Sequence, residues 1–355
     1  MSKQTPISQV GETGLIEHIK TIVTTHAGDE SLTAALIKGI GDDTAVFRPS
    51  PGKVALMTTD AFVEGVHFDL TFNSFQHLGW KAMAANLSDI ASMGGTPRYA
   101  TVFLSLPAKI SVEMIEDFYR GAVSACKKYD CLIVGGDTTA SIGNMCINVM
   151  LYGEAEEKKL LYRSGAKPGD LLCVTGHLGA SHSGLKILQR EKRRFVESGA
   201  DPAFEPNLKL YSLAIEKHLA PKPRLDLSPL LAGEFRAHAM IDISDGLASE
   251  VHRLCAAGNV GAAVYEHNLP VDVVTQAVAE EFKEKATDYA LYGGEEYELL
   301  FTITDELFEK LDAQNSDVTI IGRITKPEDG VTIVRENGES EMLPFGGWDH
   351  FPAQA

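Results

Sequence analysis

The 355-residue chain has no apolar run approaching the roughly 20 residues that cross a bilayer. Residues 1–14 are polar and lack the apolar centre of a secretory leader, so a cytoplasmic protein is expected. Cysteines are few: Cys126, Cys131, Cys146, Cys173 and Cys255, an odd number, widely spaced, with no Cys-x-x-Cys pair. That spacing argues against zinc or dithiol chemistry and for buried free thiols. Basic residues are in deficit, 32 Lys and Arg against 49 Asp and Glu, for a net charge of −17. A phosphate backbone needs clustered cations, so nucleic acid is excluded as a partner. The usual nucleotide signatures are also missing. Residues 179–186 (GASHSGLK) lack the Gly-Lys-Ser/Thr of a Walker A loop, and Gly39-Ile-Gly41 begins a dinucleotide fingerprint that has no third glycine. No repeat of 20 to 50 residues is visible.

What remains is an ordinary globular composition, 44% apolar and 23% charged, long enough for two domains. Residues 12–26 place Leu15, Ile16, Ile19, Ile22 and Val23 on one helical face. A strand is expected at 53–59, a long apolar helix at 75–93 that stops at Gly94-Gly95, and a strand at 99–106. Ser111 suits the N-cap of a helix reaching about Tyr129. A short strand at 132–134 should end in Gly135-Gly136-Asp137, and another should cover 144–153. The charged stretch 154–159 and the turn Lys167-Pro-Gly-Asp170 mark a boundary, giving domains 1–153 and 154–355. The second opens with a strand at 171–175, and residues 190–206 read as a polar surface excursion. The fold class is α/β to α+β. Strands near 54–59, 101–106 and 147–151 are apolar on both faces in places and call for cover.

Five segments set aspartate beside glycine or small hydroxyl residues: Gly39-Ile-Gly-Asp42-Asp43, Thr58-Thr59-Asp60, Asn86-Leu-Ser-Asp89, Gly135-Gly136-Asp137 and Asp242-Ile-Ser244-Asp245-Gly246. Taken singly, such an Asp is a helix cap or a turn residue. Asp89 resists that reading, because it sits inside an apolar helical pattern where Asp is unfavourable, with Asn86 three residues before it. Magnesium prefers hard oxygen ligands, few of them charged, with room for water and phosphate. An acidic protein that binds polyphosphate through such loops needs a cation between the two anions.

These segments and their neighbours resemble the motifs of the thiamine-monophosphate kinase family. The matching stretches, in the same order, are Gly39-Ile-Gly-Asp-Asp-Thr-Ala-Val46, residues 58–68 (TTDAFVEGVHF), 81–94 (KAMAANLSDIASMG), 134–139 (VGGDTT), 163–170 (RSGAKPGD), 241–246 (IDISDG), 293–298 (GGEEYE) and 347–351 (GWDHF). Thr58 stands where Ser is common and Glu296 where Asp is common.

The resemblance implies a two-domain fold like that of aminoimidazole ribonucleotide synthetase. Its N-terminal domains pair in a homodimer, and ATP lies in a cleft between the domains of a chain. It implies that Asp42, Asp43, Thr58, Thr59, Asp60, Asp89, Asp137, Asp242 and Asp245 serve several Mg2+ ions. Gly136, Asp137, Arg163 and Ser244 would contact ATP, and His67, Glu295 and Trp348 the thiamine phosphate. An acceptor phosphate is already ionised, so no dedicated base is expected. The task is to align two anions, which metals and a fixed guanidinium such as Arg163 can do. Related families fit less well: selenophosphate synthetase uses an N-terminal Cys or selenocysteine, whereas the first cysteine here is Cys126. The hydrogenase-maturation relatives end in a reactive Cys, whereas this sequence ends Phe-Pro-Ala-Gln-Ala. A nucleotide or metal sensor without catalysis is the reading from a different class.

Overall fold

The structure is a computed structural model that describes residues 4–26, 28–41, 43–201, 203–312 and 317–351. Asp42 lies outside the described residues. The chain forms two compact units, one of Met1–Ile90 with Gly95–Lys158, the other of Ala91–Gly94 with Lys159–Ala355. Among the described residues, no helix is long and apolar enough to cross a membrane.

The first unit begins with helices α1 (Ile7–Val23) and α2 (Glu30–Ala35) and the small antiparallel pair β1 (Leu36–Lys38) and β2 (Val46–Phe47). There follow β3 (Val54–Val63), α3 (Phe75–Ser92), β4 (Thr96–Pro107), α4 (Val112–Tyr129), β5 (Leu132–Ser141) and β6 (Cys146–Ala155). The four longer strands make one sheet in the order β3-β6-β4-β5, with β4 and β5 parallel and the other pairs antiparallel. Ser111 caps α4 as expected, accepting the Met114 N–H at 3.4 Å, a bond of a kind that contributes about 1 kcal/mol. The helix ends at Asp130 in a left-handed conformation, after Lys127 and Lys128, whose charges suit a helix C-terminus. Ile115, Phe118, Ala122 and Cys126 are buried along one stripe of it.

One face of the sheet is buried along its length, and the other is covered at one end, where Tyr99 and Tyr152 pack with Leu32 and Phe47. Val102 and Leu104 of β4 and Ile147, Val149 and Leu151 of β6 are buried, whereas Met57 of β3 and Met150 of β6 are 69% and 41% exposed. Strands run further than the sequence suggested, β3 and β5 by the most. β5 continues through Gly135-Gly136-Asp137 because β4 offers it a parallel partner as far as Pro107. The extra residue, Val134, is absorbed in a bulge between the pairs Ala100–Ile133 and Thr101–Gly135. β3 likewise runs past Asp60, paired to β6 throughout. Asp60 and Asp137 therefore lie within strands, not at their mouths, and Asp89 lies within α3.

The second unit contains β7 (Leu171–Thr175), α5 (Ala180–Glu197), α6 (Ser212–Leu219), α7 (Ser228–Gly233), β8 (Ala239–Asp242), α8 (Leu247–Gly258), β9 (Gly261–Tyr265), α9 (Val273–Phe282) and α10 (Ala286–Tyr292). It finishes with β10 (Leu299–Ile303), α11 (Asp305–Asp312), β11 (Val318–Thr325), β12 (Val331–Val334) and β13 (Ser340–Met342). The strands form one mixed sheet, β13-β12-β9-β11-β7-β10-β8. Every residue of β7 is buried, because Leu172 and Val174 join the core on one face and Leu171 and Cys173 the core on the other. The stretch expected to be a surface excursion is helical at its start. α5 continues to Glu197, and Glu191, 3% exposed, is paired with Arg190 at 2.8 Å and Arg194 at 3.0 Å. All five cysteines are free and four are buried.

Candidate functional site

In the first unit, the alternation of β3 divides the residues expected to meet metal. Thr58 and Asp60 share the face under which α3 runs, and there the Thr58 hydroxyl donates to the Asp89 carboxylate. Thr59 faces the other way. Asn148 on β6 donates from Nδ2 to Thr59 Oγ1 at 2.9 Å and to the Asp60 carbonyl at 3.1 Å, tying the edge strand to its neighbour. On that second face Asp137, Phe103 and Asn148 form a row across β5, β4 and β6. They line a cavity of about 820 Å3 together with Gly41, Asp43 and Thr101. Gly136 is required beside it: a Cβ there would lie 2.0 Å from the Val102 carbonyl oxygen.

The structure thus sets Asp89 against Thr58, with Asp60 two residues further along the same face, and puts Asp43 and Asp137 on one cavity, with β3 and β5 at opposite edges of the sheet. Strand order puts three spacings of about 4.8 Å between β3 and β5, roughly 14 Å in all. His67 lies in a turn after β3, where its Nδ1 accepts the Val63 N–H at 3.0 Å, so a neutral ring carries its proton on Nε2.

In the second unit the Asp242–Gly246 turn, between β8 and α8, gathers the rest. Ile243 N–H donates to the Glu298 carbonyl at 2.8 Å, Tyr297 N–H to Ile243 at 2.9 Å and Glu295 N–H to Ser244 at 2.7 Å. These bonds extend the β8–β10 pairing and hold Glu295 and Tyr297 in the left-handed region, at φ 63° and 54°. Such conformations are uncommon for side-chain-bearing residues and collect at functional sites. From the other side, Trp348 N–H donates to the Asp245 carbonyl at 2.9 Å. That approach needs Gly347, where a Cβ would stand 2.3 Å from the same oxygen. Asp242, Ser244, Asp245, Glu295 and Trp348 are therefore neighbours, with the indole about half exposed. Arg163 is exposed in the segment beside β8, where Met240 N–H donates to the Tyr162 carbonyl at 2.9 Å.

The charges around this turn are built in. Arg253 Nη1 lies 2.7 Å from Asp245 and 2.6 Å from Glu250. Burial pushes the Glu250 carboxyl up to about 7, against the pull of Arg253. The three glutamates of residues 295–298 have separate partners. Glu295 approaches His218, and Glu296 accepts the Ser181 N–H at 3.0 Å in the first turn of α5. Burial pushes Glu296 up to about 8, with Lys217 pulling the other way. Burial also acts on Glu298, but Lys217 at 2.6 Å and Arg224 at 2.9 Å hold its carboxyl below the usual range.

Among the described residues, no group of three or more His, Cys, Asp or Glu side chains forms a metal cage. Magnesium does not ask for one, since it binds through one or two carboxylates plus phosphate and water. The donors present, paired carboxylates with hydroxyls beside them, fit that chemistry. Sequence reasoning missed Asn148, Lys217, His218, Glu250 and Arg253. Glu250 and Arg253 could have been found as an acid and a base three residues apart in a helix whose other polar side chains are Ser249 and His252. Nothing around residues 217–218 marked them out.

Comparison with known proteins agrees with this division. Residues 41–155 match the family model "AIR synthase related protein, N-terminal domain" and residues 167–335 its C-terminal counterpart. The thiamine-monophosphate kinase of Bacillus subtilis is 33% identical over 317 residues, covering 88% of this chain and 93% of its own. That of Aquifex aeolicus is 35% identical over 346 residues, covering 97% and 99%. A solved structure, AaThiL complexed with AMPPCP and TMP, superposes with a TM-score of 0.73 at 34% identity over 99% of this chain and 100% of that one. The hydrogenase maturation protein HypE in complex with ATP has a TM-score of 0.71 at 19% identity over 96% of this chain and 97% of its own, which speaks to the fold alone. The chain has the AIR synthase fold and belongs to the thiamine-monophosphate kinase family.

Proposed function

We propose that this protein is a kinase that transfers the terminal phosphoryl group of ATP to thiamine monophosphate, giving thiamine diphosphate and ADP, the last step in making that cofactor. The observation that carries this reading is the Asp242–Gly246 turn. Carboxylates suited to a metal–phosphate complex and an exposed indole suited to a flat cationic ring are pinned to one another by the Trp348–Asp245 and Glu295–Ser244 backbone bonds.

In the reaction an oxygen of the acceptor phosphate attacks the γ-phosphorus of ATP, the bond to the β–γ bridging oxygen breaks, and ADP leaves. The nucleophile is ionised at neutral pH, so the protein's work is positioning and charge balance. Asp43, Thr58, Thr59, Asp60, Asp89, Asp137, Asp242 and Asp245 would hold magnesium, with Asp42 a further candidate. When bound, it offsets the repulsion between the two anions. Gly136 and Asp137 would receive the phosphates beside the cavity, Ser244 and Arg163 would bind the nucleotide, and Glu295, Trp348 and His67 would bind the acceptor.

We further propose a cytoplasmic homodimer formed through residues before about Gly153. The apolar side chains that the edge strand leaves in solvent support it, with Met57 of β3 69% exposed beyond the cavity lining. One preparation tests both ideas. ADP should appear only when ATP, magnesium and thiamine monophosphate are all present, and light scattering at micromolar concentration should give twice the chain mass. ATP binding with no acceptor-dependent ADP would overturn the kinase reading, and monomer alone would overturn the dimer.

A further inference from the structure

α6 delivers two neighbouring side chains to the Gly293–Glu298 segment. Lys217 meets Glu298 at 2.6 Å, and His218, 2% exposed, sits behind Glu295. His218 Nδ1 lies 3.4 Å from Glu295 Oε2 and 3.3 Å from Ser181 Oγ. Glu295 itself keeps 26% of its side chain exposed, so its carboxylate rests on the imidazole while part of it reaches the surface. A carboxylate beside Nδ1 favours the form of the ring that carries its proton there, because a lone pair would face an anion. The Ser181 oxygen shares that nitrogen, and the main chain of Glu295 is fixed by its bond to Ser244. Backbone and side chain of Glu295 are thus held from two directions, by the β8 turn and by α6.

We propose that His218 is a positioning residue for acceptor recognition: through Nδ1 it holds the Glu295 carboxylate in the orientation that receives thiamine monophosphate. The inference rests on the reading that Glu295 meets the acceptor. His218 does not itself touch substrate. It removes rotational freedom from a long acidic side chain before binding, so the acceptor does not have to order it. The effect should fall on the acceptor and spare the nucleotide.

The test is steady-state kinetics on the whole protein with both substrates varied. Glu295→Gln should raise KM for thiamine monophosphate about tenfold or more and leave KM for ATP within about twofold. His218→Leu should do the same, with little change in kcat. His218→Asn, whose amide nitrogen falls near the place of Nδ1, should restore most of the loss. His218→Gln, whose nitrogen falls near Nε2, should not. The double variant Glu295→Gln/His218→Leu should be no worse than Glu295→Gln alone. If Glu295→Gln raises the acceptor KM and His218→Leu does not, the positioning role is wrong and the Glu295 reading stands. If Glu295→Gln leaves the acceptor KM unchanged, the Glu295 reading fails and takes this inference with it. Should His218→Leu not fold, the Asn and Gln variants decide: equal acceptor KM values in the two overturn the proposal.

Discussion

Asp60→Asn, Asp89→Asn and Asp137→Asn are each expected to lower turnover at least about a hundredfold, roughly 2.7 kcal/mol of barrier. Asparagine keeps the shape of the side chain and one oxygen acceptor, so the Thr58 hydroxyl can still donate at position 89. What is lost is one negative charge in a site that must hold a divalent cation against polyphosphate. The structure sharpens this expectation. Asp60 and Asp89 share one face at the edge strand β3, whereas Asp137 stands on β5 beside the cavity with Asp43. The variants therefore probe two groups separately. Each should show weakened activation by magnesium, read as a rise in the metal concentration for half-maximal rate. Near-normal rates in all three at saturating magnesium would sink the metal assignment. A loss confined to positions 60 and 89 would remove Asp137 from it.

Trp348→Ala should weaken binding of thiamine monophosphate about ten- to a hundredfold and leave ATP almost untouched. The indole is 51% exposed, with Nε1 donating to His350 Nδ1 at 3.3 Å, so its ring is a surface platform and not part of a core. Stacking of a flat cationic ring on such a platform is worth about 1 to 3 kcal/mol. The bond that ties this segment to the β8 turn runs from the Trp348 backbone to the Asp245 carbonyl. An alanine retains it, so the variant removes the platform without releasing the turn. Calorimetry with each ligand separately gives the answer. An equal loss for ATP would make the segment structural, and the choice of acceptor would then rest on the relatives alone.

Much of the element order was legible because period and punctuation agree. The expected strand at 171–175 and the Ser111 cap of α4 coincide with what forms. Where the sequence misled, the missing information was tertiary. Glycines at 135 and 136 read as the end of a strand, yet β4 lies alongside with open backbone partners, and Gly136 is there because Val102 comes too close for any side chain. Alternation along β3 predicts that Thr58 and Asp60 part from Thr59, but only the strand order reveals how far Asp60 stands from Asp137. The nearness of Glu295, Asp245 and Trp348 could be expected from resemblance alone, since no local pattern joins residues so far apart in sequence. His218 had no mark at all, because its meaning comes entirely from the loop it backs.

Glu296 makes the folding of the second unit a proton-binding event. In the unfolded chain its carboxyl ionises at the ordinary value of 4.5, and in the folded protein only near 8. Between those limits the native state holds a proton that the unfolded state has released, so stability declines as pH rises from about 4.5 to about 8. Below that window the contribution is intact, and above it the group is charged in both states and the loss is complete. Glu296→Gln keeps the oxygen that accepts from Ser181 and carries no proton to lose. Its melting temperature should therefore gain on the parent's as the buffer moves from pH 5 to pH 8, whereas parallel curves would show that the buried acid is ionised throughout. At neutral pH the parent must release that proton to the buffer on unfolding. Its apparent enthalpy should then differ between phosphate and Tris by the difference in their ionisation heats, and the variant's should differ less.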